Sequence, residues 1–128
     1  MATTNSEVFI ARDADEVWAV FGDFHGIQTW FPGLESVRSE GAARFIGMGP
    51  GVEITETEVS RDDAARTLSY TVAAAVLPTT KYVTTIGVVA IDGGCTASMS
   101  ADIEPDEMAP MIQGVYDGAI AGLAAHFA

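Results

Sequence analysis

Cysteine, histidine and basic side chains are scarce in this 128-residue chain. A lone Cys95 excludes any internal disulfide. Two distant histidines and that single thiol make no metal-ligand spacing, and the acidic residues do not cluster as a calcium loop, so neither a metal nor another cofactor is expected. Six basic residues stand against 18 acidic ones, for a formal net charge of −12. Such a surface repels phosphate backbones and anionic lipid, so no nucleic acid is expected as a partner. No apolar run approaches the 18 or so residues of a spanning helix, which argues against membrane insertion. The opening "MATTNSEVFIARDADEVW" lacks the basic and apolar regions of a secretory signal, which makes a cytoplasmic location the expectation. A glycine-rich phosphate cradle is missing too, because "GMGPG" carries a proline where a helix would have to begin. No Ser/His/Asp or Cys/His arrangement points to a nucleophile.

The chain is instead rich in small and β-branched apolar residues, 48% hydrophobic with a mean hydropathy of +0.25. Its length predicts one domain over residues 1–128, able to bury a core without staples. Ser6 to Arg12, "SEVFIAR", predicts a first strand. Asp13 with Glu16 three residues on resembles a capping box, and Val17, Val20 and Phe21 give the apolar stripe of a short helix ended by Gly22. Asp23 suits the cap of a second short helix through Ile27 to Trp30, stopped by Phe31, Pro32 and Gly33.

Between Glu35 and Ile103 the helical period disappears. Six strand-like segments, "ESVRSE", "ARFIGM", "GVEITETEV", "RTLSYTVAAAV", "KYVTTIGVVAI" and "CTASMSADI", alternate with turn chemistry such as "GPG", "LPTT" and "DGG". Short connections make consecutive strands antiparallel neighbours. Leu68, Tyr70 and Val72 share one face of their strand, as do Ala97, Met99, Ala101 and Ile103. One long helix closes the chain, with Met108, Met111, Ile112, Val115, Tyr116, Ala119, Ile120, Leu123 and Phe127 at three- and four-residue steps. Pro105 and Pro110 both suit its first turn and cannot both occupy the first position. The fold class is α+β, a curved antiparallel sheet with helices on one face.

"DEVWAVFGDFHGIQTWFPG", "DDAARTLSYTV", "LPTTKYVTTIGV" (Pro78, then Tyr82 four residues on) and "GVYDGAIAGLAAHF" together resemble the START-like helix-grip superfamily, in its bacterial polyketide cyclase/dehydrase branch. The resemblance covers about Val8 to Phe127. It implies about seven strands wrapped around the C-terminal helix, two short helices after the first strand, and a ligand cavity between sheet and long helix. "GAARFIGMGPGVE" is short for this family and implies a curtailed third strand. Ala73 to Ala75 and Gly114, Gly118 and Gly122 supply little bulk, which favours an open interior.

On that fold the expected ligand contacts are Trp30, Tyr70, Tyr82, Met99, Met111, Val115 and Tyr116. Trp30 and Pro32 match the family's W-x-P and fit either a plug beneath the short helices or a ligand contact. Arg44 and Glu56 match positions where the family often carries these residues, and if both face inward they must pair. The alternative for them is a rim salt bridge of little worth. Arg44, Glu56, Tyr82 and His25 are the catalytic candidates. His25 is included because its ordinary pKa allows proton transfer near neutrality. His126 suits the dipole of the helix end, and Glu53 and Glu58 are expected to face water.

The resemblance implies a protein that binds a hydrophobic or polyaromatic small molecule, as a monomer or homodimer. Two functions fit it, a metal-free cyclase, aromatase or dehydratase and a lipid or small-molecule carrier without chemistry. An enzyme should bury convergent ionisable groups with perturbed pKa values, whereas a carrier needs only an apolar lining with a lone hydroxyl. A regulatory interaction module, its acidic surface meeting a basic partner, is the third alternative.

Overall fold

In a computed structural model, which describes residues 2–128, seven antiparallel strands form one sheet in the order β1-β7-β6-β5-β4-β3-β2. The strands are β1 (Ala2–Ile10), β2 (Ser36–Glu40), β3 (Ala43–Gly49), β4 (Val52–Asp62), β5 (Thr67–Ala73), β6 (Lys81–Ile91) and β7 (Gly94–Glu104). From β2 onward each strand pairs with the next in sequence, the meander expected from the short turns. Helix α1 (Ala14–Phe21) and a 3-10 segment (Phe24–Thr29) follow β1. A 3-10 turn (Asp106–Met108) leads into the long helix α2 (Ala109–His126), and the whole is a helix-grip α+β fold.

Strict alternation decides which side chains enter the core. β7 reads half-buried and buried by turns, with Cys95, Ala97, Met99, Ala101 and Ile103 inside. β5 likewise turns Leu68, Tyr70 and Val72 inward. α2 lays Ile112, Tyr116, Ala119, Ile120 and Leu123 onto this face. The edge of β1 is tied to the helix by Gln113. Its side-chain oxygen accepts from the Asn5 amide at 3.1 Å, and its amide donates to the Asn5 carbonyl at 2.9 Å. An edge strand is thereby satisfied by a helix side chain.

Several local expectations are corrected. β1 begins at Ala2 rather than Ser6, because Ala2 to Asn5 pair with Ser100 to Ile103 of β7. Asp13 does cap α1, through the Asp15 amide at 3.1 Å, but Glu16 pairs with Arg12 instead of completing a capping box. Asp23 makes no side-chain cap bond. β5 stops at Ala73, short of the expected alanine run. β3 keeps seven residues with a bulge at Gly47/Gly49, and β2 is the shorter strand with five. Pro105 precedes the 3-10 turn and Pro110 sits in the first turn of α2, so the two prolines serve different elements.

The glycines of α2 do not open the interior. Gly114 and Gly118 are exposed. Gly122 is where the helix touches the Trp30–Pro32 segment, and a Cβ there would lie 2.8 Å from the Trp30 carbonyl. Any larger residue at Gly122 would push the helix off this end of the sheet.

Candidate functional site

Between the sheet and α2 lies a cavity of about 240 Å³. Ile46 and Met48 of β3, Val52 and Ile54 of β4, Val72 of β5 and Met99 of β7 supply its sheet wall. Met111, Ile112, Val115 and Tyr116 of α2 face them, and Phe31, Leu34, Val76 and Leu77 come from loops. Val76, Met111 and Val115 are 54%, 49% and 41% exposed, which places them at the mouth. In this apolar lining three side chains carry polar ends: Glu56, Tyr82 and Tyr116. A mostly apolar concavity with a few convergent polar groups is the usual form of a small-molecule site.

Glu56 is held by Arg44. The two residues stand directly opposite each other on β4 and β3, and both point inward because Arg44 alternates with buried Ile46. The Arg44 Nε donates to Glu56 Oε1 at 2.7 Å, and a second guanidinium nitrogen lies 2.6 Å from the same oxygen. Both arginine contacts fall on Oε1, so neither occupies Oε2. A third arm of the guanidinium donates to the Phe24 carbonyl. Its flat faces meet the rings of Phe24 at 3.9 Å and Tyr70 at 4.9 Å, both within cation–π range. Burial pushes the Glu56 pKa up, and the Arg44 charge and hydrogen bond pull back only part of that shift.

The second polar group is a chain of hydroxyls. Tyr116 on α2 lies 2.6 Å from the Tyr82 hydroxyl and 2.6 Å from Thr84 Oγ1, both on β6. Thr84 has no exposed surface. Burial drives the phenols of Tyr70, Tyr82 and Tyr116 well above their ordinary value. All three therefore stay protonated, available to donate a hydrogen bond and unavailable as bases.

The structure thus brings Arg44, Glu56, Tyr82, Tyr116, Met99, Met111 and Val115 to one cavity or its immediate wall. Tyr70 is buried behind it, against Arg44. Trp30 is not a lining residue. It is 6% exposed and packs edge-on against Phe21 at 5.1 Å beneath the short helices, with its indole N–H unpaired. His25 is exposed outside the cavity, in an open polar cleft with Asp23, Glu58 and Arg61. Glu53 faces water as expected, but Glu58 is half-buried and paired with Arg61 at 2.8 Å. His126 is exposed in the last turn of α2.

Thr84 was not legible as a site residue, since a threonine in a strand reads as an ordinary β-former. The available signal was its i, i+2 spacing from Tyr82, which puts both on one face. Phe31 and Leu34 were missed because loop residues carry no periodicity.

The family model for polyketide cyclase/dehydrase and lipid transport matches residues 1–128. The chain belongs to this family. The protein XoxI from Bacillus cereus is similar, at 25% identity and a TM-score of 0.90 over 99% of this chain and 96% of its own. A protein from Thermobifida fusca is 32% identical, with a TM-score of 0.85 over 99% of this chain and 93% of its own. Ara h 8.0201 shares the fold at 15% identity, with a TM-score of 0.76 over 98% of this chain and 97% of its own. No protein of curated function matches the sequence. Among the described residues no helix is long and apolar enough to cross a membrane.

Proposed function

We propose that the cavity binds a hydrophobic small molecule, aliphatic or polyaromatic, with one polar end directed at Glu56, Tyr82 and Tyr116. The observation that carries this is the cavity itself: an apolar space under α2 with its polar groups gathered on few side chains and an apolar mouth. Family membership supports the same class of ligand. Burying an apolar guest here is worth roughly 25 cal/mol per Å² of surface removed from water, before the entropy of association is subtracted. Native mass spectrometry of freshly purified protein tests it, with the uncharged dye Nile red as competitor. A retained small molecule displaced by one equivalent of dye is expected. A protein that carries nothing and does not bind the dye contradicts the proposal.

Catalysis in the same cavity is favoured over passive carriage by one observation, the buried carboxyl with a raised pKa beside neutral phenols. A carboxylate whose affinity for protons is raised is a stronger base than one in water. Glu56 would take a proton from the carbon next to a carbonyl, and the electron pair left behind would move onto the carbonyl oxygen. A phenol hydrogen bond would hold the resulting enolate. Such proton transfer opens cyclisation and dehydration alike. Exchange of the methyl hydrogens of 2-acetylnaphthalene for deuterium, followed by NMR, tests this step. Faster exchange with the protein, lost in Glu56→Gln, is expected. Equal exchange with both proteins leaves the cavity a carrier site.

A further inference from the structure

Among the described residues, the large apolar side chains left exposed fall into two groups, with Val59 standing apart on β4. Val76, Met111 and Val115 form the cavity mouth. Phe9, Val89 and Ile91 are the other group, 52%, 62% and 47% exposed. Strand register brings these three together. Phe9 of β1 and Val89 of β6 both stand opposite Thr96 of the intervening β7, and Ile91 follows Val89 by two residues, on the same face. They point away from the cavity, since Phe9 alternates with buried Ile10, Val89 with buried Val88, and Thr96 with buried Cys95 and Ala97. Further along the same strands the outward positions are small: Ser98 and Gly87 in one row, Ser100 and Thr85 in the next. The outer face is thus apolar at one end and uncharged beyond it, and contiguous apolar surface of this kind marks an interaction site.

Charge decides what covers this patch. The chain carries a net charge of −12, and each of its five arginines is already paired with a carboxylate. A basic partner would settle on carboxylates, and the rows described hold only Glu7, at the β1 margin, where it accepts from the Asn5 side-chain amide at 3.0 Å. Two copies of this chain repel each other over most of their surfaces and can meet only where charge is scarce. We propose that the outer face of β1, β7 and β6 is a self-association surface, on which a second copy seats its own Phe9–Thr96–Val89 row in a two-fold contact. Three strands at about 4.8 Å spacing and four outward rows about 7 Å apart cover about 400 Å² per copy. The pair buries about 800 Å² in all, below the roughly 1,200 Å² of a standard interface, so the dimer is a weak one. Both cavities stay open in it, because Met111 and Val115 lie on the other side of the sheet. The proposal does not depend on those cavities being occupied.

Sedimentation equilibrium of the full chain, from about 10 µM to about 1 mM, tests this, with a dimer dissociation constant of order 0.1 mM expected. Added sodium chloride should raise the dimer fraction, because it screens the repulsion between two acidic copies and breaks no attractive ion pair. Val89→Glu should weaken the dimer at least tenfold by placing two like charges in an apolar contact. Val59→Glu adds the same charge at an equally exposed strand position outside the patch, and it should leave the dissociation constant within twofold. Amide NMR spectra of the unaltered chain across the same dilution need no variant, and the shifts should concentrate on Phe9, Thr96, Val89 and Ile91. A monomer at every concentration overturns the proposal. Association that salt weakens, that Val59→Glu disrupts as much as Val89→Glu, or that shifts Val76, Met111 and Val115 instead, overturns it too by placing the contact elsewhere.

Discussion

Arg44 and Glu56 are paired twice over: they are directly opposed residues of β3 and β4, and their side chains close a 2.7 Å hydrogen bond inside the protein. The arginine side chain is 4% exposed and the glutamate 10%, so neither charge can be left alone. This couples the stability of the sheet to the polar end of the cavity.

Removing one partner should therefore hurt more than removing both. Arg44→Ala is expected to lower unfolding free energy by about 3–5 kcal/mol, because Glu56 is stranded. The double variant Arg44→Met with Glu56→Leu should recover most of that loss. Urea denaturation of the three proteins measures it, and a double variant as unstable as Arg44→Ala would show that the two effects are unrelated.

A pH dependence follows from the same pair. The Glu56 pKa lies above its ordinary value of 4.5 in the native state, with burial the largest cause. Between 4.5 and the raised native value, the folded protein holds a proton that the unfolded chain has released. Its contribution to stability therefore falls as pH rises through that window. The stability of the wild-type protein relative to Glu56→Gln should decline as pH increases from about 4.5 and then level off. Thermal denaturation at a series of pH values checks this, and a difference independent of pH would contradict the raised pKa.

Trp30 should act through packing. Trp30→Ala is expected to cost about 3–5 kcal/mol, the range for large-to-small aromatic changes in a core. Under conditions where the variant remains folded, its affinity for Nile red should stay within threefold of the original, since Trp30 does not line the cavity. A large loss of affinity with little loss of stability would make it a ligand contact.

His25 should be dispensable for whatever happens under α2. It is exposed and lies in a cleft with Asp23, Glu58 and Arg61. His25→Ala is expected to change stability by no more than about 0.5 kcal/mol and to leave ketone binding and deuterium exchange unaltered. Loss of the exchange reaction would move the chemistry to that cleft.

The sheet was legible because alternation is a two-residue signal and β5 and β7 keep it strictly, with glycine and proline marking the turns between strands. The start of β1 was not, because Ala2 to Asn5 are polar or small and become a strand only by pairing with β7. The conditional pairing of Arg44 with Glu56 followed from strand alternation plus the cost of a buried charge, and the structure shows it closed. The hydroxyl chain could not be foreseen in the same way. It needs a helix residue, Tyr116, to meet β6 at one height, and sequence spacing does not fix how far a helix slides along a sheet. Gly114 and Gly118 misled for a related reason: small residues on a helix say nothing about which face is turned inward until the packing is known.

Placing a large ring at the mouth tests the occupied cavity most directly. Val115 is 41% exposed on α2 and lines the entrance, so Val115→Trp adds bulk there without disturbing the buried face of the helix. Titration of both proteins with Nile red should give saturable one-to-one binding to the wild-type chain and at least a tenfold loss in Val115→Trp, with an unchanged melting temperature. Equal binding by the two proteins, or no saturable binding by either, would contradict a ligand site beneath the terminal helix.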